Sequence, residues 1–144
     1  MKYVVSASLL GRNCKYNGGN NRNEVLIEFL KDKDVIEICP EVAGGLPVPR
    51  PKVELKDGRA VNEYGQSAHE AFSLGVKRTM EKLKGEDIKC AILQSRSPSC
   101  GVGQIYDGSF SGTKISGNGL CAEALIRAGY KVIDVKDMKY GEEA

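Results

Sequence analysis

Apolar residues fall into short runs separated by glycine- and proline-rich breaks, and their spacing alternates between two periods. Residues 3–7, Tyr3-Val4-Val5-Ser6-Ala7, read as a short buried strand that gives way near Gly11. Over residues 20–33, Val25, Leu26, Phe29 and Leu30 share one face of a helical period. Val35-Ile36-Glu37-Ile38 returns to a strand and stops at Cys39-Pro40. Residues 41–52 carry Pro47, Pro49 and Pro51, which argues against a helix or a central strand there. Residues 53–55 and 59–61 flank Lys56-Asp57-Gly58 as a small hairpin. Ser67 and Glu70 form a capping-box pattern opening a helix to about Lys84, with Phe72, Val76, Thr79, Met80 and Leu83 on one face. A third strand over 89–93 leads into a long loop over 95–119. A helix over 120–128, with Gly129 as its C-cap, precedes a fourth strand over 130–135.

Strands alternating with helices predict an α/β fold: an open, mostly parallel four-stranded sheet with helices on both faces, three-layered and Rossmann-like or flavodoxin-like, with a small β-hairpin insertion. The 144-residue chain reads as a single domain over residues 1–138, with 139–144 a frayed tail. Right-handed crossovers put every loop that follows a strand on one edge of such a sheet, where ligands bind.

Hydrophobic residues at 41% and charged residues at 28% exclude a disordered chain. A net charge of +2 gives no general electrostatic case for nucleic acid, leaving only a local patch from Lys15, Arg22, Arg50, Arg96 and Lys114. No apolar run approaches the roughly 18–20 residues of a membrane span, so no membrane partner is expected. The five cysteines are odd in number and lack a C-x-x-C pair, and the N-terminal apolar run passes straight into a polar loop. A reducing cytoplasm is therefore expected, with the cysteines as thiols or metal ligands rather than disulfides.

Three of those cysteines, Cys14, Cys39 and Cys100, each follow a strand and so converge on the ligand edge. Thiolates are soft ligands that select zinc or iron–sulfur clusters, and three of them leave a coordination position open. Otherwise they are small buried hydrophobes, which is how Cys90 in a strand and Cys121 in a helix read. Glu41, two residues after Cys39, suits a general base beside a metal, or is a solvated loop carboxylate. Ser97 and Ser99 flank Pro98 and either donate to a substrate heteroatom or cap their loop. Arg50, between Pro49 and Pro51, sits on a stiff segment suited to an anion or a base edge, or forms a surface ion pair. The single histidine, His69, reads as a surface residue, which argues against Ser-His-Asp or Cys-His catalysis. Gly117-Asn118-Gly119 could present backbone N–H groups to an anion.

Six stretches in order carry a family resemblance: Val5-Ser6-Ala7-Ser8-Leu9-Leu10-Gly11, Cys14-Lys15-Tyr16-Asn17-Gly18-Gly19, Cys39-Pro40-Glu41, Gly44-Gly45-Leu46-Pro47-Val48-Pro49-Arg50, Ser97-Pro98-Ser99-Cys100-Gly101 and Ile105-Tyr106-Asp107-Gly108-Ser109-Phe110-Ser111-Gly112. Together they resemble the family filed as domain of unknown function 523, some of whose members are thiouracil or thiouridine desulfurases (desulfidases). The resemblance implies a [4Fe-4S] cluster held by three cysteines with the fourth iron open. By motif, Cys39 and Cys100 fall on ligand positions and Glu41 and Ser97 on catalytic ones. The family carries cysteine where this chain has Ser8, with Cys14 six residues on. Either Cys14 completes the trio, or the cluster is lost or incomplete, because a hydroxyl is a poor ligand for iron; zinc is the alternative metal.

The implied activity is non-redox desulfuration of a thiolated pyrimidine of the 2-thiouracil, 4-thiouracil or thiouridine type. In it an open iron accepts sulfur, Glu41 is the base, and Ser97 donates or positions the proton. Ser8, Arg50, Ser99 and Tyr106 are expected to meet the substrate, whether a free thiolated base, a thionucleoside or a thiolated tRNA. The alternative is a cluster-free small-ligand or anion-binding domain of the same family, without desulfurase activity.

Overall fold

The computed structural model describes residues 1–140, so all but Lys139 and Tyr140 of the expected tail lies outside the described residues. Four parallel strands form the sheet: β1 (Lys2–Ser6), β2 (Asp34–Ile38), β5 (Ile88–Leu93) and β8 (Val132–Asp134), in the order β2-β1-β5-β8. Side chains alternate across it with the period of the pleat. Tyr3, Val5, Cys90 and Ile92 point to one face and pack on Leu26 and Leu30 of α1 (Glu24–Leu30). Val4, Ala91 and Leu93 point to the other face, against α3 (His69–Leu83) and α4 (Leu120–Arg127) through Leu83, Cys121, Ala122 and Leu125. This is the expected three-layer α/β architecture. At the C-terminal end, Tyr140 sets its ring against Phe29 of α1, 5.4 Å between centroids.

The hairpin of β3 (Val53–Lys56) and β4 (Arg59–Asn62) forms as expected. Its two turn residues, Asp57 and Gly58, both have positive φ, the conformation that matches strand twist in a two-residue loop. It covers a third apolar cluster of Leu55, Ala60, Phe72 and Ile105.

Four expectations are corrected. The 95–119 segment is not all loop: β6 (Gln104–Tyr106) and β7 (Lys114–Ser116) pair antiparallel within it. The proline-rich stretch does hold a helix at its start, α2 (Pro40–Ala43), because Pro40 sits at the first helical position, where its missing N–H costs nothing. Helix α1 is trimmed to Glu24–Leu30, since the Asn23 side chain accepts the Leu26 N–H at 3.0 Å and caps it there. The capping box does not close: Ala68 is the N-cap, and Ser67 accepts only the His69 N–H at 3.3 Å.

Helix α2 is docked backbone to backbone on α3. A Cβ built on Gly75 would stand 1.8 Å from the Pro40 carbonyl oxygen, and one on Gly44 2.0 Å from that of Ala71. Arg78 of α3 donates to the Ala43 carbonyl at 2.8 Å, closing the C-terminal end of α2. No helix among the described residues is long and apolar enough to cross a membrane. Gly75→Ala is expected to destabilise the fold by about 3 kcal/mol or more despite alanine's better helix propensity. Urea unfolding checks this, and an unchanged midpoint would contradict the backbone contact.

Candidate functional site

Chain order and spatial order diverge between β1 and β5, where the connection from β2 passes over β1. Loops leave the carboxyl ends of adjacent strands in opposite directions there and open a crevice. From β1 comes a 3-10 turn, Ala7–Leu10, ended by Gly11 at φ +94°, followed by the loop carrying Cys14. From β2 come Cys39, in extended conformation, and Glu41 in the first turn of α2. From β5 comes the segment holding Ser97, Ser99 and Cys100.

That last segment is fixed by α4. The Pro98 carbonyl accepts the Leu120 N–H at 2.9 Å, and the Ser99 carbonyl accepts those of Cys121 at 2.8 Å and Ala122 at 3.0 Å. Glycine is required at 119, because a Cβ there would lie 2.4 Å from the Ser99 carbonyl carbon. The expected anion-binding role of Gly117-Asn118-Gly119 is corrected by the same contacts: the Gly117 and Gly119 N–H groups donate to the carbonyls of Gly103 and Gly101.

The crevice is a cavity of about 330 Å³. Its lining includes every residue expected to hold the cluster, catalyse or meet the substrate, Ser8, Cys14, Cys39, Glu41, Arg50, Ser97, Ser99, Cys100 and Tyr106; of the basic patch, Lys15, Arg50 and Arg96 line it and Arg22 and Lys114 do not. Glu41 is the centre of its bonding. Ser99 Oγ donates to Glu41 Oε1. The Cys39 thiol lies 3.6 Å from Oε2, and Arg50 Nη2 lies 3.9 Å from the same oxygen, both charged side chains being nearly buried. Arg50 Nη2 also donates to the Cys14 carbonyl at 2.9 Å, and Nη1 to that of Pro47 at 3.3 Å. The guanidinium thus meets the protein's own groups and ties the Cys14 loop to Glu41. Ser97 Oγ is 3.1 Å from Ser99 Oγ and accepts the Cys100 N–H at 3.1 Å. Ser8 is buried, with Asn21 Nδ2 at 3.4 Å from its hydroxyl.

The three thiols differ in acidity. A hydrogen bond from the Cys39 thiol, with help from the Arg50 charge, draws Cys14 down to about 7 against the opposing effects of burial and Glu41. Cys39 is pushed up, since it donates its proton to Cys14 and is buried beside Glu41. Burial, then Glu41, push Cys100 up to about 12, while hydrogen bonds from Ser6 and Ser99 favour its thiolate. Cys121 is pushed up by burial, and Cys90 lies in the core, as their packing role requires.

Sequence reading missed Ser6, whose hydroxyl accepts the Gln94 N–H at 3.0 Å and so joins the ends of β1 and β5. It also missed Asn21 and Lys52 on the cavity wall. Asn21 had no signal, being one polar residue in a polar loop; Ser6 had a weak one, a hydroxyl closing an apolar strand. His69 is half-buried rather than a surface group, and its Nδ1 accepts the Ala60 N–H at 3.2 Å.

Among the described residues no group of three His, Cys, Asp or Glu could hold a single metal ion, so the zinc reading is unsupported. Three thiols lining one cavity are chemically the donor set of an iron–sulfur group. Comparison with known proteins points the same way. Residues 3–137 match the family model described as 2-thiouracil desulfurase. The uncharacterized protein YbbK of Bacillus subtilis (strain 168) is 34% identical over 145 residues, covering 94% of this chain and 96% of its own. Among solved structures, the [4Fe-4S]-dependent thiouracil desulfidase TudS superposes with a TM-score of 0.88 at 34% identity, covering 95% of this chain and 92% of that one.

In the metal-free chain, Cys14 is expected to alkylate first with iodoacetamide, and Cys90 and Cys121 last. Because the thiolate is the nucleophile, the Cys14 rate should rise with pH through about 7 and then level off. Peptide mapping of the labelled sites checks both the order and the sign.

Proposed function

The chain belongs to the 2-thiouracil desulfurase family, and from that membership we propose that it removes sulfur from a thiolated pyrimidine by non-redox hydrolysis. The observation that carries this reading is the shared cavity: three cysteines from three strand ends line it together with a buried carboxylate. Cys14, Cys39 and Cys100 would hold a [4Fe-4S] cluster, with Cys14 taking the place vacated by cysteine at Ser8. Bound there, such a cluster would supply Lewis-acid polarisation of the thiocarbonyl at its open iron.

The chain's own residues supply the rest. Glu41 takes a proton from water as the water oxygen bonds to the thiocarbonyl carbon. The carbon–sulfur bond then breaks, and sulfur leaves as hydrosulfide, so thiocarbonyl plus water gives carbonyl plus hydrogen sulfide with no change of oxidation state. Ser99 holds one Glu41 oxygen by hydrogen bond, and Arg50 stands by the other. That arrangement fixes the carboxylate at the cavity wall. Ser97, 3.1 Å from Ser99, continues a hydroxyl chain from the base along which a proton reaches the departing sulfur. Tyr106 and Ser8 remain on the cavity wall to meet the pyrimidine. A free thiolated base is of a size for a crevice of about 330 Å³; a thionucleoside or a thiolated tRNA is the extended version of the same chemistry. The protein would work in a reducing cytoplasm, as one domain over residues 1–138.

Ser8 favours a second reading, a cluster-free domain that binds such bases without turnover. Anaerobic reconstitution separates the two. About four irons and four acid-labile sulfides per chain are expected, with 2-thiouracil or 4-thiouracil converted to uracil and hydrosulfide; an iron-free chain that binds without turnover selects the second reading. Cys14→Ser should lower the iron content, and Ser8→Cys should restore it in that background. Glu41→Gln should reduce kcat by about 10²–10⁴-fold with the visible absorbance unchanged; full activity in that variant removes Glu41 from the mechanism.

A further inference from the structure

Glu54 is a buried carboxylate that the mechanism above does not use. It lies on β3, its side chain 1% exposed, and was unremarkable as one charge in a hairpin strand. Its Oε1 accepts two backbone N–H groups, those of Gly108 and Phe110, each at 3.1 Å. These belong to the turn joining β6 to β7, directly after Tyr106. Its Oε2 is buried with no hydrogen-bond partner among the described residues. The nearest countercharge is the Lys52 ammonium, 3.9 Å away. The void bordered by Glu54 and Tyr106, about 10 Å³, has room for at most one water.

A buried carboxylate without compensation is costly, so this one persists because it holds something. Clamping two amides of a turn accounts for one oxygen. The other is spent on Lys52, whose Nζ also lies 5.4 Å from the centre of the Tyr106 ring, within cation–π range. Lys52 and Tyr106 both line the main cavity, whereas Glu54 does not. The turn is seated closely as well: a Cβ on Gly108, at φ +93°, would meet the Lys56 Cβ at 2.7 Å.

We propose that Glu54 is a positioning residue for substrate recognition: it clamps the turn after Tyr106 by its amides, tethers the Lys52 ammonium over the Tyr106 ring, and so presents Tyr106 and Lys52 as one fixed wall of the cavity. The wall offers a planar base an aromatic face and a cation near its carbonyl edge. The inference deepens the desulfurase reading and rests on it for the identity of the base; the clamp itself is a property of the chain alone.

The test uses the full chain and separates the two oxygens. Glu54→Gln keeps an acceptor for both amides and loses the tether; Lys52→Met loses the tether together with the cation it holds; Glu54→Ala loses clamp and tether. In the reconstituted enzyme, Glu54→Gln and Lys52→Met should each raise KM for thiouracil about five- to tenfold with kcat within about twofold, and the double variant should be no worse than Lys52→Met alone. In the metal-free chain, calorimetry with uracil should show the same weakening. Amide exchange over residues 107–111 should stay slow in Glu54→Gln and quicken in Glu54→Ala. A KM and a uracil affinity unchanged in both single variants, or additive losses in the double variant, overturn the tether. Unchanged exchange in Glu54→Ala overturns the clamp. If the parent chain neither binds nor converts thiouracil, the desulfurase reading fails instead, and exchange alone decides the role of Glu54. Should Glu54→Ala not fold, Gly108→Ala, which blocks the seat of the turn, replaces it in the exchange measurement, and unchanged exchange there overturns the clamp.

Discussion

The site depends on one carboxyl group held out of water. Glu41 is buried in the cavity, where Ser99 from the segment after β5 brings it a hydroxyl, Arg50 from the proline-rich stretch a guanidinium, and the neighbouring Cys39 a sulfur. Removing one member of a nearly buried ion pair costs about 3–5 kcal/mol, because the survivor is left uncompensated. The Cys14 loop, the α2 turn and the Ser97–Cys100 segment therefore cannot shift independently. Arg50 makes this explicit, since the nitrogen that faces Glu41 also donates to the Cys14 carbonyl. A residue that sequence alone offers to the substrate is at least as much the strut between the first and second loops.

A carboxyl group so placed requires a fixed frame, and the frame is built from backbone contacts. Gly44 and Gly75 let α2 touch α3 with no Cβ between them, and Gly119 does the same for α4 and Ser99. Helix α2 has one turn, too short to be stable by itself. Its geometry comes from that contact, and with it the position of Glu41. The first turn of α4 likewise spends its free N–H groups on the loop that carries Ser99 and Cys100 instead of on a ligand.

Much of this was legible in the chain, and what escaped did so for physical reasons. Parallel strands buried on both faces read as unbroken apolar runs, so Val4-Val5 and Cys90 to Leu93 announced the sheet, and the alternation with helices announced its topology. That topology brought Cys14, Cys39, Cys100, Glu41 and Ser97 to one edge without any local motif. Helix α2 escaped because four residues show no period, although Pro40 at a first helical position was its signal. The β6–β7 hairpin escaped because two three-residue strands carry too few apolar positions to alternate. The glycine inside α3 was a signal of another kind: Gly75 costs the helix about 1 kcal/mol and so implies a neighbour that needs its bare backbone. Glu54 left no trace, since a charged residue in a short hairpin is ordinarily solvated.

On the proposed reading, Ser8 and Cys14 differ in what each would offer a cluster. A ligand must be available as thiolate, and the two positions differ sharply in this. Ser8 offers a hydroxyl, buried and already approached by Asn21. Cys14 offers a sulfur drawn down to about 7 by the thiol beside it. It is held to the cavity by the Arg50 strut on its own carbonyl. The contact that steadies Glu41 thus also steadies the sulfur, six residues beyond Ser8. On the proposed reading, a soft donor at position 14 of an anchored loop would serve a cluster where the hydroxyl at position 8 would not.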